Sequence, residues 1–366
     1  MRVVVVGATG NVGTAVLRRL ATARAGGDGE HVADTAGGGA QGAVAAGGGG
    51  VEIVGVARRL PDLRAEPYAA ALWHAVDIGA PDAVGQLAAV FQGADAVIHL
   101  AWALQPTHDI PAQRRTNVTG TANVLDAVAR AGVPQVVIAS SVGAYRGVDV
   151  DGKRTPVDES WPADGIPTAT YSIHKAENEA ALDRFEAEHP DVVVTRLRPG
   201  LIFQREAAAE IRGLFLGHLV PMSIVRWVRW LVLPLPLPFV FQAVHADDVA
   251  DAFWRTVDRR AGGAFNIAAS PVLNPPRLAR AFGMLGAVRI PLRLLRGIVT
   301  LTWRLRLQPT DAGWIDIAAG VPIMRTDRAR SVLGWEARHT SEDALRALVA
   351  GFADGANVPG SGPLRG

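Results

Sequence analysis

Val3-Val4-Val5-Val6-Gly7-Ala8-Thr9-Gly10-Asn11-Val12-Gly13 is the stretch on which the fold turns. Four consecutive valines form a continuous β-branched run, the composition of a parallel strand buried on both faces. Glycines at positions 7, 10 and 13 follow at once, and Ala15 to Ala23 then carries apolar residues at helical spacing. Strand, glycine turn and helix, in that order, predict a cradle for a dinucleotide pyrophosphate. A side chain at Gly7 or Gly10 would obstruct the tight turn or hold the pyrophosphate away from the backbone N–H groups. Gly13 lets the helix pack closely on the strand, and the helix N-terminus favours phosphate charge. The expected contacts are Gly7, Gly10, Asn11, Val12 and Gly13. The glycines alone, spaced G-x-x-G-x-x-G rather than G-x-G-x-x-G, would fit an ordinary tight turn. The strand before them and the helix after them decide for a nucleotide.

Downstream of this unit, Ala25 to Gly50 is almost all Gly and Ala, without apolar periodicity. It cannot bury enough surface to offset its ordering entropy, so we expect a disordered insertion that carries no chemistry. The second strand is expected over Val51 to Val56, and Ala57-Arg58-Arg59 follows it. An acidic residue at that strand end would bond the ribose hydroxyls of NAD, whereas arginine pairs with a 2′-phosphate. Arg58 therefore favours NADP over NAD; the alternative is that both arginines only solvate a loop.

Leu72 to Ile78 brings Asp77 and Ile78 to the expected adenine edge. Ala96 to Ala101 is a strand ending in His99-Leu100-Ala101-Trp102, with Leu100 and Ala101 at the cofactor and His99 packed rather than catalytic. A helix over Ala112 to Ala131 contains Asn117, and the strand Gln135 to Ala139 ends at Ser140-Ser141. This alternation predicts an α/β fold: a Rossmann-type doubly wound parallel sheet with a smaller, mostly C-terminal substrate domain. Ligands of such sheets bind beyond the carboxyl ends of the strands, where Gly7, Arg58, Ala101 and Ser141 all fall.

A chain of 366 residues can bury a large core, and 49% hydrophobic with 20% charged residues suits a globular protein. A net charge of +2 is too small to argue for a nucleic-acid partner. The absence of cysteine removes disulfides and thiolate metal sites, and no other segment suggests a metal. A strand starts within two residues of Met1, with no charged leader and apolar h-region, so a cytoplasmic location is the expectation.

Tyr171-Ser172-Ile173-His174-Lys175 carries the chemistry. Residues 171 and 175 are one helical turn apart and share a face. A free tyrosine, with a pKa near 10, is a poor base at neutral pH. A nearby ammonium and a positively charged nicotinamide would favour the phenolate. Tyr171 would then exchange a proton with a substrate oxygen as hydride moves. Lys175 could also hold the nicotinamide ribose, and Ser141 would bond the reacting oxygen.

Together these segments resemble the extended short-chain dehydrogenases/reductases, the group often called NAD-dependent epimerases/dehydratases. The resemblance rests on Gly7 to Gly13, Asp95 to Ala101, Asn117 to Thr121, Ser140 to Tyr145, Tyr171 to Lys175, Arg198-Pro199, His245 to Val249 and Phe265 to Ile267. It spans nearly the whole chain apart from the insertion and the tail after about Asp354. It implies Ser141, Tyr171 and Lys175 as the catalytic trio, Pro199 among the cofactor contacts, and Tyr145 near the substrate. It also suggests a homodimer through paired helices, one bearing Tyr171.

Three departures from the family weaken a nucleotide-sugar substrate. Leu201 stands near the place of an asparagine that helps hold the diphosphate, Phe203-Gln204 stands where Tyr-Gly is expected, and Trp102 replaces a small residue and narrows the pocket. Leu214 to Phe241 is rich in Leu, Val, Trp and Pro, with Arg226 and Arg229 interrupting it. Leu292 to Leu307 is expected as a helix with Arg289, Arg293, Arg296 and Arg304 on one face and Leu294, Leu295, Ile298, Leu301 and Leu305 opposite. It is either a packed helix with a solvated basic face or a surface that touches anionic lipid. His245-Ala246-Asp247-Asp248 is expected to start a helix with an aspartate cap, and Asp327 to Trp335 to pack the C-terminal helix.

The expected domains are a cofactor domain over 1–195, to which 241–269 returns, and a substrate domain from 196–240 and 270–354, followed by a flexible tail. The expected activity is NAD(P)-dependent hydride transfer at a C–OH or C=O centre of a small apolar molecule. The alternatives are a nucleotide-sugar epimerase or dehydratase, and a sensor that binds NAD(P) without turnover.

Overall fold

A computed structural model describes residues 1–24, 50–104, 108–208, 232–308 and 310–354. The expected Gly/Ala insertion, the first part of the apolar stretch from Leu214, and the tail lie outside the described residues. The strands are β1 (Arg2–Val6), β2 (Glu52–Ala57), β3 (Leu72–Ala75), β4 (Ala96–His99), β5 (Gln135–Ala139), β6 (Val193–Pro199), β7 (Leu201–Phe203), β8 (Val232–Leu235), β9 (Ala243–His245), β10 (Gly263–Ile267) and β11 (Gly286–Arg289). The helices are α1 (Asn11–Arg24), α2 (Ala83–Phe91), α3 (Ile110–Arg114), α4 (Gly120–Ala131), α5 (Thr170–Glu188), α6 (Ala246–Asp258), α7 (Pro275–Ala281), α8 (Leu292–Arg304), α9 (Gly313–Gly320), α10 (Asp327–Leu333) and α11 (Ser341–Asp354).

Seven strands form one sheet in the order β10-β6-β5-β4-β1-β2-β3. Every pairing in it is parallel. Strand order reverses on either side of β1, which places a crevice at the carboxyl ends of β1 and β4. The valines of β1 are buried on both faces: Val3 and Val5 join one core with α1 and α6, and Val4 and Val6 join the other with α2 and α4. This two-sided burial is why the opening run is continuous rather than alternating. β6 continues in the sheet to Pro199, so the expected domain boundary at residue 195 cuts a strand; the sheet holds the chain to Pro199.

The remaining elements follow local chemistry with four departures from expectation. The helix expected over Ala112 to Ala131 contains a π-turn at Arg115–Thr119, which joins α3 to α4. α6 is capped by His245, whose Nδ1 accepts from the Asp247 N–H at 3.2 Å, and not by an aspartate. Asp248 is instead buried, accepting from the backbone of Arg338 at 3.1 Å and His339 at 3.0 Å. α10 packs on α6 and β10 rather than on the C-terminal helix, and Trp335 donates to Asp248 O at 2.8 Å. Finally, α8 ends at Arg304 and buries none of its residues fully: Leu292 and Leu295 are half-buried, while Leu294, Ile298 and Leu301 are exposed rather than packed in a core.

Gly13 shows how closely α1 seats on β1. A Cβ there would lie 2.3 Å from Gly7 O and 2.7 Å from Ala8 C. Both are backbone atoms that cannot yield cheaply. Gly13→Ala is expected to destabilise the fold by about 1–3 kcal/mol, the usual cost of overpacking. Thermal unfolding at pH 7 checks this, and an unchanged midpoint would show that the turn is looser than described.

Candidate active site

The carboxyl edge of the sheet gathers most of the residues singled out in the sequence. Gly7 has φ +86°, a left-handed conformation that favours glycine, and a Cβ there would meet Ala101 N at 2.5 Å. The glycine turn is thus pressed against the end of β4, where Leu100 N donates to Val6 O at 2.8 Å. At Gly10 a Cβ would meet only Gly7 O, at 3.5 Å, so the space before this glycine is not filled by protein. An open front above a helix N-terminus, with Asn11 and Val12 beginning α1, fits a bound phosphate. Arg58 and Arg59 leave β2 exposed, without hydrogen bond or ion pair among the described residues. Asp77 Oδ1 accepts from Gly79 N at 3.0 Å, and its other oxygen lies 3.7 Å from Arg115. Ile78 is buried, and its carbonyl accepts from Asn123 at 2.7 Å.

Immediately after Ala101, Trp102 leads to the reacting groups. Its ring lies 5.5 Å from that of Tyr171, edge to face, and 3.6 Å from the Lys175 ammonium. Its own indole N–H is buried without a partner. Tyr171 and Lys175 sit one turn apart on α5, as their spacing requires. Ser141, two residues beyond β5, caps the short turn Val142–Ala144 by accepting from Gly143 N at 3.0 Å. Its hydroxyl and the Tyr171 ring converge on Gly143, where a Cβ would lie 3.4 Å from Ser141 Oγ and 2.8 Å from the ring. The neighbouring Ser140 is differently engaged, donating to Glu179 Oε1 at 2.5 Å. Only Ser141 of the pair therefore faces Tyr171.

The electrostatics differ from the sequence expectation. Burial pushes the Tyr171 phenol up to about 12, against a smaller opposing effect of the Ser141 side chain. Burial pushes Lys175 down to about 7, with Glu179 opposing. The Lys175 Nζ donates to Ala139 O at 2.7 Å and lies 5.8 Å from the Tyr171 ring centre. Burial outweighs the pairing with Lys175, and the phenol of the folded chain is held protonated. His99, at the end of β4, is buried and held neutral, pushed down to about 3 chiefly by burial and then by Lys175. Tyr145 is corrected as well. It is wholly buried, donates to Asn266 Oδ1 at 2.7 Å and accepts from Arg198 at 3.0 Å, so it faces a polar core rather than a substrate.

Three neighbours of the site escaped the sequence. Gly143 lies so close to Tyr171 that a Cβ would come within 2.8 Å of the ring. Its place two residues after Ser141 was the only available signal. Trp314, from α9, lies 5.2 Å from the Tyr171 ring, and no sequence spacing links the two. Gln204, just beyond β7, donates to Asn11 O at 3.1 Å and also to the Asn11 side chain, tying the glycine turn to the other part of the molecule. A cleft of about 610 Å³ opens elsewhere on α5, beside Trp161, Ala176 and Asp183, and does not include Tyr171 or Lys175. Among the described residues no group of three His, Asp or Glu is placed to hold a metal.

The sequence matches the NAD dependent epimerase/dehydratase family over residues 38–268. An NAD-dependent glucose-6-phosphate dehydrogenase of Haloferax volcanii is 33% identical over 129 residues, covering 32% of this chain and 47% of that protein. The chain thus spans about half the length of that relative. Among solved structures, the UDP-glucose 4-epimerase of Thermotoga maritima with UDP-glucose superposes with a TM-score of 0.64 at 18% identity, over 97% of this chain and 99% of that one. The dTDP-glucose 4,6-dehydratase of Streptomyces venezuelae with NAD gives 0.66 at 18% identity, over 97% of each chain. At such identities the structures establish the fold, and the sequence match establishes the kinship. The chain belongs to the NAD dependent epimerase/dehydratase family, within the extended short-chain dehydrogenases/reductases.

Proposed function

We propose that the protein is an NAD(P)-dependent oxidoreductase that interconverts a carbonyl and a secondary alcohol on a small apolar substrate, with NADP preferred to NAD. The observation that carries this is the convergence of the Ser141 hydroxyl and the Tyr171 ring on Gly143, where a Cβ would lie 3.4 Å from Ser141 Oγ and 2.8 Å from the ring, at the carboxyl edge of the sheet. When bound, the nicotinamide supplies or accepts the hydride. Ser141 and Tyr171 hold the reacting oxygen. The phenol O–H, kept protonated by its burial, gives its proton to a carbonyl oxygen as the adjacent carbon gains hydride. In the reverse direction the phenolate takes the alcohol proton. Lys175, one turn away and pushed down to about 7, steadies the phenolate left after transfer when it is itself protonated.

The family relation favours NAD(H) chemistry in general; Arg58 and the residues around it support the finer assignments. In this proposal Gly7, Gly10, Asn11, Val12 and Gly13 hold the pyrophosphate, and Arg58 pairs with the 2′-phosphate. Asp77 and Ile78 border the adenine, while Leu100, Ala101, Pro199, Tyr171 and Lys175 surround the nicotinamide half. The substrate part comprises the chain after Pro199, apart from α6 and β10. Trp102, Trp314 and the half-buried Leu201 give it an apolar wall beside the reacting oxygen. A homodimer through the helices that include α5, and contact with a lipid surface, belong to the same proposal.

A nucleotide-sugar substrate is the second possibility, since the Thermotoga structure holds UDP-glucose. Absorbance at the reduced-nicotinamide band separates the possibilities. A net change with an apolar ketone supports the oxidoreductase, product from a nucleotide sugar without net change supports an epimerase, and binding without turnover supports a sensor. For the cofactor, Arg58→Asp is expected to weaken NADPH binding about 10- to 100-fold, the range for losing one charge-assisted hydrogen bond, while NADH binding holds or improves. Fluorescence titration with both dinucleotides checks this. A wild type that already prefers NADH, and does not respond to the change, refutes the NADP assignment.

A further inference from the structure

We infer that α8, with the loop and strand before it, is a docking surface for an anionic lipid bilayer. This deepens the lipid contact proposed above by assigning it to one surface; vesicle binding and the hydride-transfer assay test the two separately. α8 is amphipathic in an inverted sense. Leu292, Leu295, Val299 and Trp303 turn toward the protein and are half-buried, whereas Leu294, Ile298, Leu301 and Leu305 turn outward and are 50–60% exposed. Leu285, before the helix, and Leu307, just after it, are exposed as well, at 68% and 52%. Scattered surface leucines need no explanation, but a contiguous row along one helix does.

The inward face is fixed, so the outer leucines cannot simply roll into the core. Trp303 stacks on His108 with ring centres 4.7 Å apart, and Arg296 pairs with Asp316 at 3.0 Å. At 13 residues α8 is too short to cross a bilayer, and no helix among the described residues is long and apolar enough to do so. The remaining geometry is a helix lying in the interface plane.

Charge selects the partner. Residues 275–310 contain seven arginines and no aspartate or glutamate; Arg277 and Arg296 pair with Glu342 and Asp316 from outside the segment, and the other five have no ion pair among the described residues. On α8, Arg293 and Arg304 are exposed along the rim of the leucine row. A protein partner with an apolar patch would need no such one-sided charge, whereas an anionic headgroup layer over an acyl interior matches both features. The surface is also coupled to the site. Arg296 of α8 pairs with Asp316 of α9, and α9 carries Trp314 against Tyr171. An apolar molecule leaving the bilayer at α8 would arrive beside the aromatic wall of the site.

The test is co-sedimentation of the full chain with phosphatidylcholine vesicles, with and without phosphatidylglycerol. The protein is expected to pellet with the anionic vesicles, to stay in solution with phosphatidylcholine alone, and to be released by salt. Leu294→Glu with Leu301→Glu should abolish pelleting while leaving NADPH titration unchanged, which controls for folding. Arg293→Gln with Arg304→Gln should weaken partitioning by about fivefold per charge. A wild type that stays in the supernatant with anionic vesicles, or a double-glutamate variant that pellets like wild type, would overturn the inference. So would a wild type that is dimeric in sedimentation velocity and becomes monomeric in the double-glutamate variant without ever binding vesicles, since the face would then belong to a second copy.

Discussion

Tyr171→Phe is expected to lower kcat about 1,000-fold while leaving the dinucleotide Kd within about twofold, because general acid–base catalysis by a placed side chain contributes roughly 10²–10⁴. The change keeps the ring, so its contacts with Trp102 and Trp314 and its close approach to Gly143 survive. Only the hydroxyl, on the ring that meets Ser141 at Gly143, is removed. The phenol is held protonated in the folded chain, pushed up to about 12 by burial. It is therefore ready to donate across the whole neutral range, and the variant should be inactive at every pH rather than shifted in its optimum. Steady-state kinetics with NADPH and an apolar ketone, alongside a cofactor titration, checks both halves. A variant that keeps a tenth of the activity would mean that the proton comes from elsewhere.

Glu179→Gln is expected to cost about 3–5 kcal/mol of stability, the penalty for leaving a buried charge unpaired. Arg198 holds Glu179 through two hydrogen bonds of 2.9 and 2.8 Å, and both side chains are 5% exposed or less. Arg198 also donates to Tyr145 at 3.0 Å and to Glu159 O at 2.9 Å. Burial opposes the ionisation of Glu179, but the hydrogen bond and charge of Arg198, with Ser140 and Arg196, outweigh it and hold the carboxyl below its ordinary range. A carboxyl depressed in the folded state contributes stability above its unfolded pKa and loses it as pH falls through the folded value. The gap between wild type and Glu179→Gln should therefore be full at pH 7 and narrow below about pH 4. Urea unfolding at several pH values measures it. Because Ser140 adjoins Ser141, the same variant should also lose activity; a gap that does not change with pH would place the cost in packing rather than in the ion pair.

How much was legible follows from how local each signal is. The valine run of β1, the glycine turn and the strand Gln135–Ala139 depend on neighbours in sequence, and each stands where its composition placed it. Tyr171 and Lys175 share a face because helical spacing alone decides that. Facts set by distant contacts were not readable. The outward leucines of α8 have the same periodicity as a packed helix, and only tertiary structure decides which face is covered. His245 rather than an aspartate caps α6 because its Nδ1 reaches the free N–H. The protonated state of Tyr171 and the low value of Lys175 arise from burial, which a spacing argument omits. Trp314 joins the site only because α9 is folded back onto α5.

The central claim is that hydride crosses to a carbon whose oxygen is held by Ser141 and Tyr171. Reduced nicotinamide deuterated at C4, mixed with the protein and a panel of apolar cyclic ketones, tests it by mass spectrometry of the alcohol. Deuterium on the carbinol carbon with wild type, and none above background with Tyr171→Phe, is the predicted result. Tight binding of the dinucleotide with no label transferred by wild type to any ketone or nucleotide sugar would contradict it.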